Sequence, residues 1–158
     1  MVAQALNACV HIDEQQATGS FHAHIPGYVI YEKDVYLVLH IQQKQLPHML
    51  HFFSGVLKME IIAELNRVIK LTNNMAAKRA LRRLNTTHVK LFRQYPFTNF
   101  QLADMITGQP ASDHFDTPQY KRLYNMVHGN LFCSAIDYSG GKSPVIVKKV
   151  SDTLQLKL

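Results

Sequence analysis

Val35, Leu37, Leu39 and Ile41 alternate with Tyr36, Val38 and His40, giving one wholly apolar face and one half-apolar face. A period of two is the signature of a strand. Phe21, Ala23 and Ile25 alternate in the same way with His22 and His24, and residues 6–13 read as a further strand. Pro26-Gly27 and Glu32-Lys33-Asp34 bring turn chemistry between these runs. The first 46 residues therefore predict an antiparallel meander of three or four short strands, whose apolar face needs a cover.

The period changes at Pro47, a residue suited to a first helical turn. Leu50, Phe53, Leu57, Ile61, Leu65 and Val68 then recur every three or four positions, one stripe on a helix ending near Leu71. Gly55 either weakens this helix by about 1 kcal/mol relative to Ala or admits another backbone. Thr72-Asn73-Asn74 is a break followed by a fresh cap. Residues 75–84 form a second helix, with Ala77, Ala80, Leu81 and Leu84 on one side and Lys78, Arg79, Arg82 and Arg83 on the other. Asn85-Thr86-Thr87 leads into a third, residues 88–95, packed through Val89, Leu91 and Phe92 with Lys90 and Arg93 outside.

Pro96 ends that helix. Thr98 and Gln101 have the spacing of a capping box, and Phe97 can staple onto Leu102. Gly108 and Pro110 close this short helix. Thr117 caps another, Pro118 takes its first turn, and Tyr120, Leu123, Tyr124 and Val127 make its stripe before Gly129. Within residues 131–150, Phe132, Ser134 and Ile136 alternate with Leu131, Cys133 and Ala135. Ser139-Gly140-Gly141-Lys142 supplies a turn, and residues 145–150 return. That pattern predicts a β-hairpin.

From residue 87 to 150 the order is helix, short capped helix, turn, helix, hairpin. Carried by FTNFQLADMI, YKRLYNMVHGNLF and the SGGKSP tip, this stretch resembles the winged helix-turn-helix superfamily. The resemblance implies that the short helix braces the next one, that the next one enters a DNA major groove, and that the hairpin is a wing along the backbone. It assigns Gln119, Lys121, Arg122 and Asn125 to base or backbone contact, and Lys142, Lys148 and Lys149 to phosphate. The connection from Met105 to Thr117 is longer than a tight helix-turn-helix needs, and it carries Asp113 and Asp116. The expected fold class is α+β. Residues 1–46 are a small β-rich segment, residues 47–86 a helical connector packing on it, and residues 87–158 a winged-helix domain.

Charge strengthens the nucleic-acid expectation. The chain has 158 residues and a formal charge of +6, and its apolar fraction of 47% excludes wholesale disorder. Residues 1–57 come to −2, whereas residues 58–95 hold nine basic residues against Glu60 and Glu64, a net of +7. Residues 96–158 come to +1. Lys78, Arg79, Arg82 and Arg83, one turn apart, suit a polyanion whose binding releases counterions. An acidic protein surface is the competing partner, the N-terminal third of a second copy among the candidates.

Other chemistry is sparse. His22 with His24, and His48 with His51, share faces, but polar strand and helix surfaces account for them without a metal. Cys9 and Cys133 have no C-x-x-C spacing and read as two buried thiols. No Walker A loop, dinucleotide fingerprint or nucleophile motif occurs, and SGGKS lacks the spacing of a phosphate loop. No enzyme activity and no cofactor are expected. No run of eighteen apolar residues and no basic, apolar leader is present, so the expected compartment is cytoplasm or nucleus, with no membrane partner. The sequence thus predicts a homodimeric regulator of transcription bound to duplex DNA, its N-terminal β segment free to meet a protein partner. A protein-binding adaptor or inhibitor on a winged-helix scaffold, or a plasmid or phage replication protein, are the alternatives. The first reading requires the middle-third cations and the C-terminal cations to share one positive surface.

Overall fold

The strand pattern at residues 35–41 is realised, and it organises the rest of the chain. A computed structural model of the protein describes residues 1–11, 23–86, 90–95, 99–109 and 117–149. Strand β1 (His24–Tyr31) pairs antiparallel with β2 (Asp34–His40) through a turn at Glu32-Lys33, where Glu32 takes φ 52°. The fold is mixed α+β with this two-stranded sheet at its centre. Among the described residues the expected meander of three or four strands is a pair. Pro26-Gly27 is not a turn: it lies inside β1, where the register shifts between His24 and Gly27. A bulge accommodates a proline that a regular ladder would not.

Residues 6–11 are not a strand either, and residues 12 and 13 of that expected strand lie outside the described residues. Helix α1 (Val2–His11) buries Ala5, Leu6, Cys9 and Val10. Those positions recur at helical spacing, and three alanines favour the helix, so the 3.6-residue period outweighs the apparent alternation.

Helix α2 (Leu46–Thr72) follows the predicted stripe and buries Met49, Phe53 and Leu57 in its first half. It stops where expected. Asn73 adopts the left-handed conformation at φ 51°, and Asn74 Oδ1 then accepts from the N–H of Ala76 (2.8 Å) and Ala77 (3.1 Å) to start α3 (Met75–Thr86). The cap satisfies two donors that the first helical turn leaves open. Helix α3 packs back along α2, burying Ala77 and Leu84.

The third predicted helix is absent over its described part. Residues 90–95 form no regular element but cross α2, with the Phe92 ring set edge-on to Phe53 at 5.4 Å. Pro96 disfavours a helical Tyr95, and a segment this short has little to nucleate a helix. Helix α4 (Phe100–Ile106) starts at Asn99, whose Oδ1 accepts from Leu102 N–H at 3.1 Å. The expected cap and staple, Thr98 and Phe97, lie outside the described residues. Asparagine is the stronger capping residue, and it displaces the start by one position. Gly108 gives the expected left-handed stop at φ 67°. Helix α5 (Pro118–Val127) begins as predicted, Thr117 Oγ1 accepting from Tyr120 N–H at 3.2 Å.

The sheet separates two cores. Ile25, Tyr28, Ile30, Leu37 and Leu39 face α1, α2 and Val145; Val29, Tyr36 and Val38 face α4, α5 and Cys133. Gly27 lets α4 approach the second face. A Cβ there would stand 2.8 Å from the Ile106 carbonyl oxygen and from Thr107 Cγ2.

The predicted hairpin wing at residues 131–150 is not formed by its described part. Residues 132–134 run antiparallel along the free edge of β1, Ile30 N–H donating to Phe132 O (2.9 Å) and Ser134 N–H to Tyr28 O (3.0 Å). A short helix α6 (Ala135–Tyr138) follows. The returning arm then bonds to the N-terminal elements, not to residues 131–135. Ile146 N–H donates to Asn7 Oδ1 (2.7 Å), and Lys148 N–H to Ile25 O (3.2 Å). Alternation marked both arms as extended but could not say which edge each would pair with.

Candidate nucleic-acid interface

Helix α3 seats itself on α2 through Ala77 and Leu84, which turns the opposite side outward. Arg79, Arg82 and Arg83 are exposed there, and Lys78 is half-buried, its Nζ donating to Asn73 Oδ1. The principal carboxylate of the neighbouring turns is engaged elsewhere: Glu64 receives Arg67 at 2.6 Å and 2.8 Å. The Arg67 hydrogen bonds hold the Glu64 carboxyl below its ordinary range. From Lys58 to Thr86 the two helices carry seven basic and two acidic residues, a net of +5. Arg79 and Arg83 also flank a groove of about 570 Å³ whose floor is Ile61, Leu65, Ala80 and Leu84.

Helix α5 buries Tyr120 and Val127 against the second core and exposes Gln119, Lys121, Arg122 and Asn125. Helix α4 packs directly against it. On the flank of this exposed face the rings of Tyr120, Tyr124 and His128 stack in sequence, with centroids 6.4 Å and 4.4 Å apart. The i, i+4, i+8 spacing of these rings is visible in the sequence, where the stripe of Tyr120 and Tyr124 indicates packing.

The remaining cations are dispersed. Lys90 and Arg93 are exposed on the segment that crosses the first half of α2, where its contacts reach Ser54, and the groove under α3 begins at Ile61, about 10 Å further along the helix. Lys142 is exposed in the loop after α6. Lys148 is exposed beside the start of β1, while Lys149 places its Nζ 5.8 Å from the centre of the Tyr138 ring. The structure thus groups Lys78, Arg79, Arg82 and Arg83 on one helix and Gln119, Lys121, Arg122 and Asn125 on another. The two helices belong to layers on opposite faces of the sheet.

The titratable interior is inert. Burial pushes the Cys9 thiol up to about 12 and raises Cys133 and the Tyr28 phenol as well. A thiol so far from ionisation is no nucleophile at neutral pH. His48 and His51 are exposed on α2, and His22 lies outside the described residues. No group of three or more potential metal ligands occurs among the described residues.

A second concavity was not foreseen. Between β2 and residues 92–95 lies a slot of about 660 Å³, floored by Met49, Leu50 and Phe53 and rimmed by Lys33, Asp34 and Arg93. No described helix is long and apolar enough to cross a membrane. The chain matches no protein-family model, no curated protein and no solved structure.

Proposed function

We propose that the protein binds duplex DNA through α3 as the phosphate-contacting helix, with α5, on the other side of the sheet, as a candidate reading helix for a separate stretch of duplex, in the service of transcriptional regulation. The observation that carries this reading is the division of α3. Ala77 and Leu84 fasten it to α2, and Arg79, Arg82 and Arg83 are exposed on its opposite side. Cations fixed one helical turn apart can neutralise successive phosphates and release their counterions.

In this reading α4 braces α5, whose exposed Gln119, Arg122 and Asn125 suit paired hydrogen bonds to base edges. The wing part of that reading has no hairpin behind it. The proposal therefore rests on helices, with Lys148 and Lys142 as peripheral phosphate contacts. A homodimer would present two copies of each helix to a two-fold DNA site.

The test is a salt titration of binding to a random-sequence duplex, read by fluorescence anisotropy. The wild type is expected to lose affinity steeply as salt rises. Replacing Arg79, Arg82 and Arg83 together by Ala should lower the log–log slope by roughly one for each phosphate contact removed. Arg122→Ala should flatten sequence preference without changing that slope. Absence of duplex binding at low salt, or an unchanged slope in the triple variant, overturns the reading.

A further inference from the structure

The two edges of the sheet are treated differently, and the difference identifies a second binding surface. The edge of β1 is closed. Ile30 N–H and Tyr28 C=O point away from β2 and meet residues 132–134. In an antiparallel pair, residues whose main-chain groups point outward face each other across the ladder. Tyr28 is opposite Leu37, and Ile30 is opposite Val35. The N–H and C=O groups of Val35 and Leu37 must therefore point out of the other edge, that of β2. No described residue meets them there.

Unpaired ladder groups are costly when buried and adhesive when exposed. Here they open into the slot in front of residues 92–95. The slot is lined by the turn residue Lys33 and by four consecutive residues of β2, 34–37, from both faces of the strand, which is how a strand borders a cavity with its edge. Beneath lie Leu50 and Phe53, and Lys33 and Arg93 stand on the rim against the single carboxylate of Asp34.

We propose that an extended peptide of a partner protein adds to β2 as a third strand in this slot. The Val35 and Leu37 main-chain groups supply the ladder. Alternate side chains of the peptide, of apolar character, enter the floor beside Leu50 and Phe53. An acidic residue of the peptide meets Lys33 and Arg93. Strand addition takes affinity from main-chain bonds and specificity from pockets for every second side chain. This surface does not depend on the DNA reading, since it uses neither α3 nor α5.

The test pans a random octapeptide display library on the wild-type protein and, in parallel, on Val35→Pro. Proline at that position removes an outward N–H, and Val35 shares no ladder bond with β1 whose loss would confuse the result. Enriched peptides should show apolar residues at alternate positions and at least one acidic residue. As synthetic peptides they should bind Val35→Pro at least tenfold more weakly than wild type. N-methylation of their ladder amides should abolish binding to the unaltered protein, which keeps the test decisive if Val35→Pro folds poorly. Peptides that bind both proteins equally, or tolerate N-methylation, would overturn the proposal. So would a failure to enrich any sequence. If no peptide enriches and only the wild type elutes as a dimer, the edge belongs to a second copy and the proposal fails. Binding to duplex DNA should be unchanged in Val35→Pro.

Discussion

The α2–α3 hairpin and the C-terminal arm are stabilised on opposite principles. The hairpin is rich in local side-chain bonds. Asn74 caps its own helix, Thr86 Oγ1 donates to Arg82 O, and Arg67 reaches Glu64 three residues away. In the arm the partners are distant in sequence: Asn130 Nδ2 donates to Ile30 O across 100 residues, and Ile146 N–H to Asn7 Oδ1 across 139. The turn and the start of α3 are set by bonds within the hairpin, while the first half of α2 is fixed by packing on α1 and the sheet. The arm exists only when the sheet and α1 are already in place. Charge follows the same division, since the hairpin carries Arg67, Arg79, Arg82 and Arg83 while the long-range arm ties β1 and α1 together.

The sharpest way to break that contrast is Gly27→Val. The added side chain has no room between β1 and the carbonyl of Ile106, and overpacking of this kind costs about 3 kcal/mol. Urea denaturation should show the loss, and hydrogen exchange should show it everywhere, because α4 and the sheet cannot stay apposed. A loss confined to α4 would mean the second core is not needed by the first.

Ser134→Ala comes next. The Ser134 hydroxyl accepts from Tyr28 N–H at 2.8 Å and lies against the carbonyls of Tyr28 and Ile106, all in a buried setting. Removing it leaves a buried donor without a partner, a cost of about 2 kcal/mol. The expected result is a lower denaturation midpoint with an unchanged m-value, and faster exchange at β1 as well as at residues 132–134. Unaltered exchange at β1 would show that the arm does not brace the strand.

Asn74→Ala is expected to be the smallest, about 1 kcal/mol, because it removes one helix cap. Its effect should be local: faster exchange at the first amides of α3, with β1 and α4 unchanged. If the whole protein were destabilised equally, the hairpin would not be the separable unit that its bonding implies.

These two regions also explain what could be read beforehand. Helix α2, the stop at Asn73-Asn74, the amphipathic α3, and the Thr117-Pro118 start of α5 were all legible, because each signal lies within a few residues of its effect. The basic face of α3 was legible for the same reason. The α1 segment was misassigned because its short apolar pattern fits both periods, and the chain settled on the one that packs against α2. The wing was misassigned because residues 131–150 show extended character without showing their partner. The open edge of β2 had no sequence signal, since nothing local distinguishes a strand with one neighbour from a strand with two.

The order of apolar and polar residues therefore determined where helices begin and end, which side of each is buried, and where positive charge accumulates. These are consequences of backbone sterics, capping and periodicity, all of which act over a turn or two. Tertiary structure alone decided that residues 132–134 close one edge of the sheet while no described residue pairs with the other. It alone decided that α3 and α5 fall on opposite layers, and that Ser134 is buried against Tyr28. Those outcomes depend on pairing between segments a hundred residues apart. Such pairings are selected by the total burial and hydrogen bonding of the folded chain, which no short window of residues contains.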